Sequence, residues 1–405
     1  MDALTTPLNW QRVRLGDIGK PCMCKRVMKH QTTRYGEIPF YKIGTFGNTA
    51  DAFISKKLFL EYKTKYSFPK KGDILISASG TIGRAVIYDG KPAYFQDSNI
   101  VWIDNDETLV KNDFLFYAYS HVKWNTEHTT ILRLYNDNFR NTLIPLPPLN
   151  EQIAIANILS GLDHYLYSLD ALILKKESVK KALSFELLSQ RKRLKGFNQA
   201  WQRVRLGDMT TSFTKQTGFD YSASIKPTLI KEQLPNYIPF IQNKDFSGHY
   251  INYKTDYFIP NEIVIRFPQI LLNEKCLLIS ISGAIGNVAV FNHSQDAFIG
   301  GAIAVLKFKE KKSLDFVMHF LMSASGQKLL LNSVKSSSHK NLTIADLRDL
   351  LIPLPPLDEQ IAIANVLSAL DSEIISLKNK KRQFENIKKA LNHDLMSAKI
   401  RVLKK

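Results

Sequence analysis

The sequence has few cysteines and no long apolar stretch. Its 405 residues include three cysteines, too few for a disulfide framework, which favours a reducing compartment. No uninterrupted apolar run approaches the roughly 18 residues that a membrane span needs. The N-terminus lacks the basic, apolar and small-residue order of a signal peptide. We therefore expect a cytoplasmic protein with no membrane segment.

The signatures of catalysis that spacing can reveal are also missing. The sequence has no GxxxxGK[ST] phosphate loop, no N/D-P-P-Y/F motif of amino-methyltransferases, no H-E-x-x-H and no C-x-x-C pair. Cys22, Cys24 and His30 could be imagined around a metal ion, but no fourth ligand is evident. We expect no catalytic residue, metal or cofactor on this chain.

The basic charge is concentrated in two short segments. Lys and Arg total 55 against 37 Asp and Glu, which gives a formal charge of +18. Residues 175–195 and 378–405 together contribute +14 of it. Such a balance suggests a polyanionic partner, with nucleic acid as the first candidate. The rest of the chain is almost neutral, which argues against a uniformly basic nucleic-acid-binding surface.

The chain is an imperfect tandem repeat. WQRVRLGD at 10–17 recurs unchanged at 201–208, and IPLPPLNEQIAIANILSGLD at 144–163 recurs as IPLPPLDEQIAIANVLSALD at 352–371. Repeats of this kind point to duplicated structural units. The ends of the two copies are nearly identical while the middles have diverged. We infer that the ends do a shared job and that the middles do different ones.

The diverged middles resemble strand-rich mixed α/β domains. Short β-prone runs are separated by Gly, Asp and Asn turns, as at 72–77, 99–103, 262–267 and 276–281. Each middle has about 135–150 residues, the usual size of one domain. The fold class predicted from these patterns is α+β.

A long helix should follow each copy of the PLPPL segment. PLPPL itself is extended, because each proline removes a donor and restricts the preceding residue. Asn150 and Asp358 stand where helix N-caps belong, with Glu151 and Glu359 near the positive helix end. Each helix should then continue for about 45 residues, or roughly 65–70 Å.

The apolar residues of both helices follow a period of 3.5, which is typical of a coiled-coil seam. The seam positions are Leu159, Leu162, Leu166, Leu169, Ile173 and Leu183 in the first helix, and Leu367, Leu370, Ile374, Leu377, Phe384 and Leu391 in the second. Lys176, Lys180, Lys381 and Lys388 interrupt them. The two helices are expected to pair as an antiparallel coiled coil.

These motifs resemble those of the specificity subunits of type I restriction–modification systems. The I-P-L-P-P-L-x-E-Q-x-x-I-A signature of that family stands at 144–156 and 352–364, and its W-x-x-V-x-L-G-D opening stands at 10–17 and 201–208. The family's S-G-T-I-G motif occurs at 79–83, and at 282–286 with Ala284 in place of Thr. The resemblance covers nearly the whole chain.

The resemblance implies a non-catalytic reader of double-stranded DNA in the cytoplasm of a bacterium or archaeon. It implies target recognition domains at 1–148 and 198–356, each reading one half of a split asymmetric sequence. It also implies conserved spacer helices at 149–197 and 357–405, which fix the gap and bind two modification subunits. S-adenosylmethionine would be bound by those subunits, which methylate adenine, and ATP with Mg²⁺ by two restriction subunits.

Candidate DNA contacts lie in loops that carry basic, hydroxyl or amide side chains. They are Lys25, Arg26, Lys29, Arg34, Ser79, Thr81, Arg84 and Arg133 in the first block, and Lys244, Ser282, Asn287, Ser338, His339 and Lys340 in the second. Glycines in the turns at 79–83 and 282–286 allow close backbone approach to a phosphate. The same residues are equally compatible with solvated basic loops and purely structural turns.

Several features admit more than one interpretation, namely the helix lysines, the two repeated tryptophans and the chain as a whole. The lysines could attract DNA, face an acidic partner, or flank a solvated coiled coil. Trp10 and Trp201 sit in the identical repeat ends, which favours packing over base stacking. The whole chain could instead carry a cryptic nuclease or methyltransferase centre, or serve as an assembly protein that binds protein rather than DNA.

Overall fold

The structure is a computed structural model that describes residues 10–128, 132–333 and 341–402. It divides into two compact units, of which the first comprises Met1–Ala171 with Asn379–Lys405 and the second Leu172–Lys378. Both divisions fall within 40-residue helices. Each unit therefore contains one strand-rich block and a part of both long helices.

The first unit is built on two small sheets that enclose two cores. A four-stranded sheet has the order β2-β8-β5-β6, a three-stranded sheet the order β4-β3-β7, and β1 pairs with β11 and β9 with β10. Ile74 and Ile76 enter one core and Leu75 the other, because successive side chains of a strand point to opposite faces. The strands are β1 (Gln11–Arg14), β2 (Gly19–Met23), β3 (Ile38–Tyr41), β4 (Phe53–Ile54), β5 (Ile74–Ser77), β6 (Ala85–Ile87), β7 (Tyr94–Phe95), β8 (Ile100–Asn105), β9 (Glu127–His128), β10 (Leu132–Arg133) and β11 (Leu143–Leu146).

The helices of the first unit are short, with the exception of α5. They are α1 (Leu15–Ile18), α2 (Lys56–Lys65), α3 (Asn112–Tyr119), α4 (Asn136–Asn141) and the long α5 (Leu149–Leu188), which continues into the second unit. A 3-10 turn spans Lys29–Gln31. All the sheet pairings of this unit are antiparallel except that of β3 with β7.

The second unit repeats this plan. Its four-stranded sheets have the orders β13-β22-β19-β20 and β17-β14-β21-β18, and β12 pairs with β23 and β15 with β16. The strands are β12 (Gln202–Arg205), β13 (Thr210–Lys215), β14 (Tyr237–Ile241), β15 (Phe246–Ser247), β16 (Tyr250–Ile251), β17 (Phe258–Pro260), β18 (Leu271–Leu272), β19 (Cys276–Ser280), β20 (Val288–Phe291), β21 (Ala297–Ile299), β22 (Ile303–Phe308) and β23 (Leu351–Leu354). The helices are α6 (Gly218–Asp220), α7 (Asn261–Val264), α8 (Leu314–Met322), α9 (Ala324–Asn332), α10 (Ile344–Arg348) and α11 (Leu357–Met396).

The strand predicted at 262–267 is wrong. The chain there forms the short helix α7 and turns into a 3-10 segment that begins at Pro268. Val264 and Phe267 are buried in the same core as Ile270. Burial of these side chains from a helical turn outweighs the β-propensity of the run, which is a weak and context-dependent preference.

Both long helices are shorter than predicted and begin earlier. Helices α5 and α11 start at Leu149 and Leu357, so Asn150 and Asp358 lie inside the first turn and not at the N-cap. Helix α5 ends at Leu188 because Gln190 takes a left-handed conformation and the Lys192 amide returns to the Glu186 carbonyl. Forty residues give a helix of about 60 Å.

The two helices pair antiparallel, which confirms the predicted fold class. In the first unit Lys381 contacts Asp170 at 2.7 Å and Lys388 contacts Asp163. The residue numbers therefore increase along one helix as they decrease along the other. In the second unit Lys176 contacts Glu373 at 2.8 Å, and Lys180 contacts Asp371. The apolar seam positions are buried or half-buried, namely Leu159, Leu162, Leu166, Leu169, Ile173, Leu183, Leu367, Leu370, Ile374, Leu377, Phe384 and Leu391. The seam lysines are therefore paired with carboxylates of the facing helix.

Helix α11 is long and apolar enough to cross a membrane by length and composition alone. Its most apolar 18-residue window has a mean hydropathy of 1.3. Part of its apolar face is buried in the protein, because Ile363, Ala364 and Leu367 are packed in the core of the second unit. The buried Glu359 also lies on this helix. These contacts are those of a core helix.

The identical repeat ends form a polar clamp in each unit. In the first clamp, the buried carboxylate of Glu151 accepts hydrogen bonds from Trp10 at 3.0 Å and from Arg401 at 2.6 and 2.8 Å. In the second clamp, the buried Glu359 accepts from Trp201 at 3.2 Å and pairs with Arg193. Both tryptophans therefore have a structural role, as their position in the repeat suggested.

A second polar cluster joins each block to its helices. In the first unit, Tyr117 donates to Asp163 at 2.7 Å. His319 occupies the corresponding place in the second unit and lies 2.9 Å from the hydroxyl of Ser368. Burial lowers the pKa of His319 to about 3, with smaller contributions from His249 and Lys180.

This pKa predicts that acid destabilises the second unit. Below pH 6.5 the unfolded chain protonates His319 and the folded chain does not, so stability present above pH 6.5 is lost as the pH falls towards 3. We expect His319 to cost about 1.4 kcal/mol between pH 7.5 and 5.5. Denaturant unfolding of His319→Tyr, which introduces the residue found at position 117, should show that much less pH dependence. The exposed His293→Tyr should retain the wild-type slope, and an unchanged slope in His319→Tyr would contradict the assignment.

Candidate nucleic-acid interface

The ends of several strands of the first unit meet in one group of loops, which we call the first loop cluster (Arg26, Lys42–Phe46, Ser79–Arg84, Gln96–Asn99 and Arg133). The Ile43 amide donates to the side chain of Gln96 at 2.9 Å. Ser79 donates to Asn99 at 2.8 Å. Loops held together in this way by a sheet can present side chains in a defined arrangement.

The arginines of this cluster are held by the protein. Arg26 pairs with Asp97 at 2.8 Å, and Arg133 donates to the Ser98 carbonyl at 2.7 Å and to Asn99 at 3.2 Å. Arg84 donates to the Phe46 carbonyl at 3.0 Å. Three of the predicted DNA-contacting cations thus lie in one cluster, each with its guanidinium oriented by a hydrogen bond.

The other basic candidates of the first block are more dispersed. Lys25 lies over the ring of Tyr66 at 5.0 Å. Lys29 and Arg34 are exposed on the loop that leads from β2 to β3. The structure leaves their contact with DNA as a prediction.

The two S-G-x-I-G turns have the same internal structure. The hydroxyl of Ser77 donates to the Thr81 carbonyl and accepts from the Arg84 amide, and Ser280 does the same with Ala284 and Asn287. These two serines were not singled out from the sequence. Both copies of the repeat keep a serine two residues before Ser79 and Ser282, and this shared position could have identified them. Ser77 and Ser280 therefore shape the turns, while Thr81 and Asn287 are exposed on them.

Gly83 shows why glycine is needed in the first turn. Its φ is +83°, and a Cβ atom there would lie 2.1 Å from the indole nitrogen of Trp124. The corresponding Gly286 has a φ of +86°, and its carbonyl accepts from Gln327 at 2.8 Å. Trp124 thus packs against the first turn and Gln327 bonds to the second, and these contacts hold the exposed face of each turn in one conformation.

The second unit gathers the corresponding loops, which we call the second loop cluster (Gln216–Asp220, Gln242–Asp245, Ser282–Asn287 and Gly300–Ala302). Asn243 donates to the Ser282 carbonyl at 2.7 Å, and the Gly300 amide donates to the Ile241 carbonyl at 2.8 Å. Lys244 pairs with Asp256, which raises the pKa of the lysine. The predicted contacts Ser338, His339 and Lys340 lie outside the described residues.

The two clusters share their backbone plan and differ in side chains. Gln96 of the first cluster stands where the second has Gly300, because their amides donate to the carbonyls of Tyr41 and Ile241, and Gly301 alone replaces Asp97 and Ser98. The first cluster carries the arginines Arg26, Arg84 and Arg133, whereas the second has no arginine and its one basic side chain is Lys244. Side chains of these types are the ones that bind base edges and phosphates.

Two of the three cysteines, Cys24 and Cys276, are buried. Burial raises the pKa of Cys24 and of Cys276 to about 12, so both thiols stay protonated at neutral pH. Among residues 10–128, 132–333 and 341–402, no group of three His, Cys, Asp or Glu side chains is arranged to hold a metal ion.

Comparison with known families decides what these duplicated units are. The family model of the type I restriction modification DNA specificity domain matches residues 7–177 and again residues 198–386. The chain belongs to this family. The family prediction made from the repeated motifs is therefore confirmed, and with it the role of a DNA-recognition subunit in place of a catalytic one.

Individual relatives support the same assignment. A Haemophilus influenzae protein described as a type I restriction enzyme specificity subunit is 64% identical over 148 residues, which is 36% of this chain and 38% of that protein. The type I restriction enzyme MjaVIII specificity subunit of Methanocaldococcus jannaschii is 27% identical over 425 residues, covering 99% and 95% of the two chains. The matched part thus spans well under half of the first relative and nearly all of the second.

Solved structures show the same fold. The crystal structure of the type I restriction–modification S subunit from M. genitalium covers 98% of both chains with a TM-score of 0.63 at 17% identity. A second structure, described under the structural basis of complex assembly and conformational transition of the type I restriction–modification system, matches with a TM-score of 0.55 at 20% identity. The match covers 97% of this chain and 98% of that one.

Proposed function

We propose that this chain reads a split DNA sequence, one half with each strand-rich block. The proposed target recognition domains are residues 1–148 and 198–356, and the proposed spacer segments are 149–197 and 357–405. The observation that carries this proposal is the contrast between the repeat ends and the loop clusters. The clamps are the same in both units, whereas the clusters expose different side chains on the same backbone plan.

The residues proposed to touch DNA belong to the loop clusters, to the basic loop of the first block and to the segment 338–340. Arg26, Arg84 and Arg133 are the best placed in the first unit, because their guanidinium groups are already oriented. Arginine in such a position can bind a guanine edge or a phosphate. Lys25, Lys29, Arg34, Ser79, Thr81, Lys244, Ser282, Asn287, Ser338, His339 and Lys340 complete the proposed set.

The proposed partners bind along the two long helices. We propose that two modification subunits, which carry S-adenosylmethionine, dock there, and that two ATP-dependent restriction subunits join them. Helix faces away from the seam expose apolar side chains, among them Tyr167, Leu174 and Ile387. Exposed apolar groups of this size are typical of interaction surfaces. The assembled complex would work in the cytoplasm, where its DNA is found.

Exchange of one block tests the division of labour. Replacement of residues 18–143 by the corresponding block of another specificity subunit should change one half of the methylated sequence and leave the other half and the gap as they are. Methylome sequencing of a host that expresses the hybrid with its modification subunits measures this. The reciprocal replacement of 209–351 is the matched control and should change the other half. A change in both halves by either hybrid would contradict the modular assignment.

A further inference from the structure

Gln216 is a buried amide whose hydrogen-bonding capacity is unused. Its side chain is 2% exposed, and neither Oε1 nor Nε2 has a hydrogen-bond partner among the residues that the structure describes. Nearly all buried polar side chains in proteins are paired, so an amide with both ends unmet needs a reason. One such reason is a ligand that supplies both a donor and an acceptor.

The position of Gln216 places it in the second loop cluster. It directly follows β13, whose last residue Lys215 pairs with Ala304. Its Oε1 lies 3.7 Å from where a Cβ atom on Gly301 would stand. The next residues form the short turn Gly218–Asp220, in which the ring of Phe219 is 81% exposed. Gln216 thus lies between the end of β13 and a loop segment, and loops adjust on binding more readily than strands.

A second amide of the same cluster is in a similar state. Asn243 donates to the Ser282 carbonyl, but its Oδ1 is buried without a partner in the described part of the chain. The first loop cluster differs in this respect. There the carboxylate of Asp97 and the amide of Asn99 are both engaged by side chains of the protein. Of the two loop clusters, it is therefore the second that has buried amide groups without a partner among the described residues.

We propose that Gln216 reads an adenine in the half-site bound by the second unit. An adenine offers its N7 as an acceptor and its N6 amino group as a donor, which complements the free Nε2 and Oε1 of glutamine. On binding, the short segment Gly218–Asp220 (α6) shifts, and the buried amide of Gln216 forms hydrogen bonds with the edge of the base. The inference rests on the proposed function and assigns one base contact within it.

The test is Gln216→Met in the full chain assembled with its modification subunits. Methionine keeps the length and burial of the side chain and removes both hydrogen-bonding groups. Binding is measured by gel retardation on duplexes that carry the methylated sequence and on single-base variants of its second half. We expect about 5- to 100-fold weaker binding to the native site and a lost preference at one A·T pair. Gln295→Met, the same substitution at an exposed glutamine of the loop between β20 and β21, is the control and should bind as the wild type does.

The outcomes separate three situations. Gln216 is a structural residue if Gln216→Met changes the thermal unfolding midpoint but keeps the preference at every base pair, and the inference is then overturned. It is also overturned if the lost preference is at a G·C pair or in the first half-site. If the wild-type complex itself shows no preference among the duplexes, the proposed function fails, and the Gln216 assignment with it.

Discussion

Replacing Arg401 by methionine is expected to destabilise the first unit by about 3–5 kcal/mol. The variant leaves the carboxylate of Glu151, which is 2% exposed, without its cationic partner. Trp10 still donates one hydrogen bond to it. A single neutral donor does not offset the loss of hydration of a buried charge, so most of the penalty remains. Denaturant unfolding, followed by the fluorescence of the tryptophans, measures the change.

Two further variants show whether the buried charge is the cause. Arg401→Met combined with Glu151→Met removes both charges and should recover most of the lost stability. Arg382→Met removes an exposed arginine from α11 and should change the free energy of unfolding by less than about 0.5 kcal/mol. A double variant as unstable as Arg401→Met alone would show that packing of the arginine, and not the charge pair, stabilises the unit.

The clamps explain why the repeat ends are nearly identical. Each clamp consists of a tryptophan from the opening motif, a glutamate from the PLPPL segment's helix, and an arginine from beyond the end of the other helix. Arg193 and Arg401 are 208 positions apart, as are Glu151 and Glu359. That common offset was present in the sequence and could have identified the two arginines as partners of the glutamates.

The helical seam could be predicted from the sequence because it depends on a local periodicity. Leu159 and Leu367 recur with their neighbours every 3.5 residues, and this spacing alone places them on one face. The ends of the helices could not be read in the same way. The stop after Leu188 depends on the chain turning back so that Arg193 reaches Glu359, which is a contact between residues 166 positions apart.

The loop clusters could be predicted only in part, for a physical reason. Arg26, Arg84 and Arg133 were chosen by residue type, and the structure brings them together. Gln216 was missed because nothing in its local sequence shows that its amide is unpaired. Whether a polar side chain is satisfied depends on neighbours far along the chain, here Gly301, and loops carry no periodic pattern that reveals such neighbours.

Lengthening both spacer helices by seven residues is expected to abolish methylation of the native sequence and to create a new one. The insertions are placed after Ala171 in α5 and after Lys378 in α11, where the two units divide. Seven residues keep the phase of the seam, so Asp163–Lys388 and Lys180–Asp371 remain paired within their units. Methylome sequencing should detect the same two half-sites with a different gap.

The size of the change follows from the two helix geometries. Seven residues add about 10 Å to an α-helix, which corresponds to about 3 base pairs at 3.4 Å each. A seven-residue insertion after Gln199, in the loop beyond the end of α5, leaves both helices at 40 residues and should leave the gap unchanged. If the helix variant still methylates the native gap, the helices do not set the spacing. The spacing would then have to come from the partner subunits, because the half-sites are read by blocks that neither insertion alters.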